Sequence, residues 1–114
     1  MMTSDTIAAI ATGLTNSGIG IIRVSGEQAF DVVDSIFIPA KKGKRLKDQE
    51  TYTAHYGHIC DKNEILDEGI VLLMRGPHSY TAEDTAEIQC HGGVMVMQRI
   101  LELVIRKGAR MAEP

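Results

Sequence analysis

The stretch TAEIQCHGGVMVMQRILELVIRKG, residues 85–108, decides the fold. Its opening residues alternate: Ala86, Ile88 and Cys90 fall on one face of an extended chain, Glu87 and Gln89 on the other. Gly92-Gly93 breaks that pattern. From there to Lys107 apolar residues recur at helical spacing, and Gly108 takes the position just past the helix end. Val94, Met97, Leu101 and Val104 form one stripe; Val96, Ile100 and Leu103 form another. Two stripes exceed what one small sheet is expected to cover, so the helix is expected to be covered on more than one side.

Upstream, residues 69–74 (GIVLLM) read as a continuous apolar strand of the mid-sheet kind. Residues 52–60 give another strand, with Asp61-Lys62-Asn63-Glu64 as the turn between them, and residues 76–81 are a loop by composition. Residues 6–12 (TIAAIAT) and 19–25 (IGIIRVS) are two further strands, the second expected to be buried on both faces. Ser25 is placed as a helix N-cap because Gln28 follows three residues on. Ala29, Val33 and Ile36, with Phe30 and Phe37 beside them, continue that helix until Pro39 stops it. Residues 40–51 (AKKGKRLKDQET) are a charged loop. The order is β-β-α-β-β-β-α, an α+β (mixed α/β) class, in a single domain over 1–114.

The chain has 114 residues, 44% hydrophobic and 24% charged, with a formal net charge of −3. That composition excludes disorder as the default and argues against a generic nucleic-acid coat. Lys41, Lys42, Lys44, Arg45 and Lys47 crowd into seven residues, leaving −8 on the remaining sequence. Such a cluster is a solvated loop, or it attracts an anionic tail or RNA phosphates. Two cysteines are too few for a disulfide scaffold and suit a reducing cytosol. No run approaches a membrane span, and the first twelve residues lack a signal peptide's basic start and apolar core.

No phosphate-cradling G-x-x-x-x-G-K-[ST] motif occurs, and Gly18-Ile19-Gly20 lacks the third glycine and the context of a dinucleotide site. No metal site is expected: there is no Cys-x-x-Cys, and His55 and His58 would point to opposite faces of one strand.

Three features are candidate chemistry. Arg23 sits inside an apolar strand, where its guanidinium needs either a structural partner, an edge position or an anionic ligand. Glu87 lies on the polar face of its strand; it either faces water or grips a donor–donor pair on a heterocycle, since two carboxylate oxygens accept two N–H bonds. His91-Gly92-Gly93 is either a tight strand-to-helix turn or a place where a ligand approaches backbone at a helix N-terminus. Cys90 beside His91 suggests a nucleophile–base pair, but neighbours on a strand point apart.

Several blocks resemble a known family. Residues 5–12 (DTIAAIAT), 18–26 (GIGIIRVSG), 56–59 (YGHI), 79–84 (SYTAED), 87–93 (EIQCHGG) and 108–114 (GARMAEP) resemble, in order, the N-terminal domain of the MnmE/TrmE tRNA-modification GTPases. The resemblance implies a tetrahydrofolate-binding unit of β2-α-β3-α plan, similar to half of the folate domain of aminomethyltransferases, that also forms a homodimer. It implies that Arg23 and Glu87 contact the folate, 5-formyl- or 5,10-methylenetetrahydrofolate, with His91, Gly92 and Gly93 as pocket backbone. In that family the whole protein works in the cytoplasm with the flavoprotein MnmG and tRNA. It modifies C5 of the wobble uridine; GTP, K+ and Mg2+ belong to a separate G domain, and a C-terminal cysteine is catalytic. Residues 12–18 (TGLTNSG) depart from the family's Pro-Pro-Gly-x-Gly-Gly. Residues 1–114 are accordingly expected to be an N-terminal portion without a catalytic residue or GTPase activity of its own. The competing readings are a purely structural dimerisation module and a small enzyme using Cys90 or His91.

Overall fold

In a computed structural model, residues 5–11, 17–76 and 83–112 are described. The alternating stretch becomes β6 (Thr85–Gly92), the central strand of a seven-stranded sheet. The other strands are β1 (Ile7–Ile10), β2 (Ser17–Ser25), β3 (Phe37–Pro39), β4 (Thr53–Asp61), β5 (Glu64–Met74) and β7 (Arg110–Met111). Their order is β3-β4-β5-β6-β2-β1-β7, antiparallel throughout except where β7 joins β1 in parallel.

Both helices, α1 (Ala29–Asp34) and α2 (Val94–Arg106), pack on one face of this sheet. Ala86, Ile88 and Cys90 of β6 turn toward them, with Ile22 and Val24 of β2, Val71 and Leu73 of β5, and Ala8 of β1. Met97, Ile100, Leu103 and Val104 of α2 complete the core and are essentially excluded from water. The fold is therefore a two-layer α+β sandwich of one sheet and one helical layer. The opposite sheet face carries Arg23 and Ile21, Glu87 and Gln89, Ile70 and Leu72, and Tyr56.

Several expectations from sequence are corrected. The strand β2 is buried on one face only: Ile22 and Val24 are dry, whereas Ile19 is 62% exposed. Helix α1 ends at Asp34, and Phe37 belongs to β3, paired with Ile59 of β4. Pro39 suits that edge strand because it needs no ladder N–H there. Ser25 is the end of β2 and caps nothing; the Gln28 N–H is accepted by Thr6 Oγ1 at 3.0 Å, a cap supplied from beside β1. Finally, members of both α2 stripes are buried against the chain's own sheet, with Val96 and Leu101 packed at the margin. On α2 the exposed apolar residue is Met95, at 77%, and the open sheet face also exposes apolar side chains, Ile70 and Tyr56 among them. The expected loop at 76–81 and the departure at 12–18 fall largely outside the described residues.

Helix α2 begins and ends as its sequence dictates. Gly93 is the N-cap residue, and Gly108 follows the helix at φ +127°, a conformation suited to glycine. No helix among the described residues is long and apolar enough to cross a membrane.

Candidate functional site

Arg23 and Glu87 are direct cross-strand partners on β2 and β6, at the middle of the open sheet face. The guanidinium donates through Nε at 2.8 Å and through Nη2 at 2.6 Å, and both bonds end on Glu87 Oε2. Glu87 is only 5% exposed, although it lies on the polar face of its strand. Across the sheet on that face Ala9 lies opposite Arg23 and Leu72 opposite Glu87, while along the two strands Ser25, Thr85 and Gln89 are polar. A carboxylate withdrawn this far from water needs its cation, which is why the two residues occur together.

Two cavities flank the pair. One of about 350 Å³ is lined by Arg23 with Ile7, Ala9, Ser25 and Glu83. The other, about 260 Å³, is lined by Ile19, Tyr56, Glu68, Ile70, Gln89 and His91. Glu87 lines neither of them; its partner Arg23 borders one and its same-face neighbour Gln89 borders the other. Apolar walls with a few convergent polar groups are the usual make-up of a small-molecule site.

His91 joins this face, and Asp67 of β5 holds it. The Asp67 carboxylate accepts the His91 backbone N–H at 2.8 Å and pairs with the ring Nδ1 at 2.6 Å. That hydrogen bond raises the His91 pKa above its ordinary 6.5, and the Asp67 charge adds to the effect. The ring itself is exposed, so it presents a donor at the rim of the smaller cavity. Gly92 and Gly93 follow at the junction of β6 with α2.

Cys90 points the other way. Its Sγ lies 3.7 Å from the Gly20 carbonyl oxygen and 3.4 Å from Met97 Sδ, inside the core. Burial, reinforced by Asp67, pushes the thiol up to about 11. Cys90 and His91 are thus on opposite faces of β6 and do not form a nucleophile–base pair. Likewise His55 and His58 alternate along β4; His55 bonds Thr53 Oγ1, while His58 approaches Glu68.

Arg23, Glu87 and His91, singled out from sequence, therefore share one sheet face. Asp67, Gln89 and Tyr56 were not anticipated. Tyr56 donates its hydroxyl to Glu68 at 2.9 Å, which fixes the ring across from Ile70. The sequence signal for Asp67 is the acidic pair Asp67-Glu68 set between Leu66 and the apolar run that follows Gly69.

A family model described as the GTP-binding protein TrmE N-terminus matches residues 6–114. The chain belongs to the TrmE N-terminal family. Among curated relatives, the tRNA modification GTPase MnmE of Lachnoclostridium phytofermentans is 57% identical over 113 residues, covering 99% of this chain and 25% of the relative. The proteins of the same name from Alkaliphilus metalliredigens and Bacteroides thetaiotaomicron are 53% and 49% identical, with 25% and 24% of their lengths covered. This TrmE-type chain thus spans about a quarter of the relatives it matches.

Proposed function

We propose that this chain is the folate-binding and dimer-forming N-terminal module of a tRNA-modification GTPase. The observation that carries the reading is the buried Glu87 carboxylate, held by Arg23 through one oxygen on the open sheet face. Oε1 is then the oxygen that would accept from the N–H edge of a reduced pterin, such as that of 5-formyl- or 5,10-methylenetetrahydrofolate. Arg23 acts through Glu87 as a positioning residue. Leu72 and Ile70 would floor the ring, and His91 with Gly92-Gly93 would border it. Folate supplies the one-carbon unit for the modification. In this reading the module captures and orients the folate, and the chemistry belongs to the rest of the protein.

The residues fit the ligand because a flat heterocycle with adjacent donors matches a dehydrated carboxylate. The likeness to half of an aminomethyltransferase folate domain, the cytoplasmic setting, MnmG and tRNA as partners, and GTP with K+ and Mg2+ in a G domain all belong to this reading. Ile19, Tyr56 and Ile70, exposed on the site's own face, favour a second copy as the cover that completes the pocket. Equilibrium dialysis against 5-formyltetrahydrofolate tests the capture, and sedimentation across a wide dilution range tests the dimer. Saturable uptake by a two-chain species is expected. A dimer that takes up no folate would favour the purely structural alternative, and a monomer that takes up none would overturn the proposal.

A further inference from the structure

The loop between β3 and β4 carries Lys41, Lys42, Lys44, Arg45 and Lys47, all exposed. None of these five side chains forms an ion pair with a described residue, although other surface arginines of the chain do. The loop is nonetheless built firmly. Leu46 is buried at its centre, in a 3-10 turn over Leu46–Asp48. The Asp34 carboxylate accepts the Leu46 and Lys47 N–H groups at 2.7 and 3.2 Å. Arg75, stacked 4.9 Å over Phe30, donates to the Lys47 and Gln49 carbonyls. Five cations with no ion-pair partner among the described residues are therefore carried on an anchored backbone in a chain whose remaining residues sum to −8.

Beside them is a cavity of about 430 Å³, lined by Lys41, Lys44, Gln49, Thr53, His55 and Tyr56. Burial lowers the His55 pKa, and the Lys44 charge lowers it further, so the ring is a neutral wall and the lysines carry the charge. We propose that this loop and cavity bind the phosphodiester backbone of RNA. Lys41 and Lys44 take one phosphate at the cavity, and Lys42, Arg45 and Lys47 follow the strand beyond it. The loop's large aliphatic residue, Leu46, is buried, and its exposed ring, Tyr52, can stack on a base, which favours RNA over a membrane surface. The proposal rests on the chain's place in a tRNA-modifying protein, but not on its folate site.

Fluorescence anisotropy with a labelled, unmodified tRNA transcript, titrated with salt on the 114-residue chain, tests it. Engagement of all five cations gives log K a slope against log salt of about −3.5 to −4.5. Replacing both Lys41→Ala and Lys44→Ala should weaken binding on the order of tenfold and flatten the slope by about 1.4 to 1.8. Lys62→Ala, remote in sequence from the loop, should change neither by as much. The same samples, titrated with 5-formyltetrahydrofolate, separate the two readings: the double variant should take folate as the parent does. A parent that binds tRNA but takes up no folate would overturn the folate site alone. Equal tRNA affinity and slope in parent and double variant, or binding only to anionic phospholipid vesicles or polyglutamate, would overturn the RNA surface.

Discussion

Arg23 and Glu87 face each other across adjacent antiparallel strands, and the two guanidinium nitrogens that bond the carboxylate converge on a single oxygen, Oε2. The pair is unequal in its surroundings: the Arg23 side chain is 38% exposed and that of Glu87 only 7%. The consequences of breaking it are therefore unequal too. Arg23→Ala strands a dehydrated carboxylate and should lower stability by about 1–3 kcal/mol. Glu87→Ala leaves a guanidinium that already meets water, and should cost less than about 1 kcal/mol. Urea denaturation of both variants checks the order. Arg23→Lys should recover only part of the loss, because an ammonium cannot reproduce the two-nitrogen grip.

His91 gives a pH signature. Its folded pKa is raised above 6.5 by Asp67. A raised histidine contributes stability fully below the unfolded pKa and loses it as pH climbs through the folded value. NMR titration of the ring should place its midpoint above 6.5, and Asp67→Asn should bring it back toward 6.5. The parent's urea midpoint should fall more than the variant's between about pH 6 and 8. His55, shifted downward, works in the opposite sense and is common to both proteins.

The Cys90 thiol should be inert in the folded chain. With its pKa at about 11 and its sulfur against Gly20 and Met97, almost none is thiolate at neutral pH. Mass spectrometry after iodoacetamide at pH 7.5 should find Cys90 unmodified until denaturant is added. Rapid labelling of the native chain would show that the strand face is assigned wrongly.

Two glycines on strands beside the site contrast. A Cβ on Gly69 would stand 2.2 Å from the Gln89 carbonyl oxygen, which is backbone and cannot yield without moving β5 against β6. One on Gly20 would stand 2.3 Å from Met97 Sδ, a flexible side chain that can turn aside. Gly69→Ala should therefore cost about 2–3 kcal/mol and Gly20→Ala about 1 kcal/mol, read as urea midpoints.

Much of this was legible in sequence because period carries it. The alternation from Ala86 to Cys90 placed Glu87 on the face away from the helices, and Gly93 and Gly108 bracketed α2. What sequence could not supply was contact between distant residues. Arg23 and Glu87 were separate candidates until the β2–β6 register set them opposite one another, 64 positions apart. Thr6 replaced Ser25 as the cap for the same reason. The short β3 was lost because Phe37, three residues past the helix, still fits a 3.6-residue period. Nor does a strand's pattern show which of its faces a second layer covers, so β2 was expected to be dry on both.

Calorimetric titration of the parent, Glu87→Ala and Glu87→Gln with 5-formyltetrahydrofolate tests the central claim most directly. The parent should bind. Charge-assisted bonds contribute roughly 1.5–3 kcal/mol each, so Glu87→Ala should lose about 2–4 kcal/mol, or roughly 30- to 1,000-fold in affinity. Glu87→Gln should also weaken binding, because its amide turns a donor toward a donor. A Glu87→Ala protein that stays folded and binds as tightly as the parent would show that the carboxylate serves Arg23 alone.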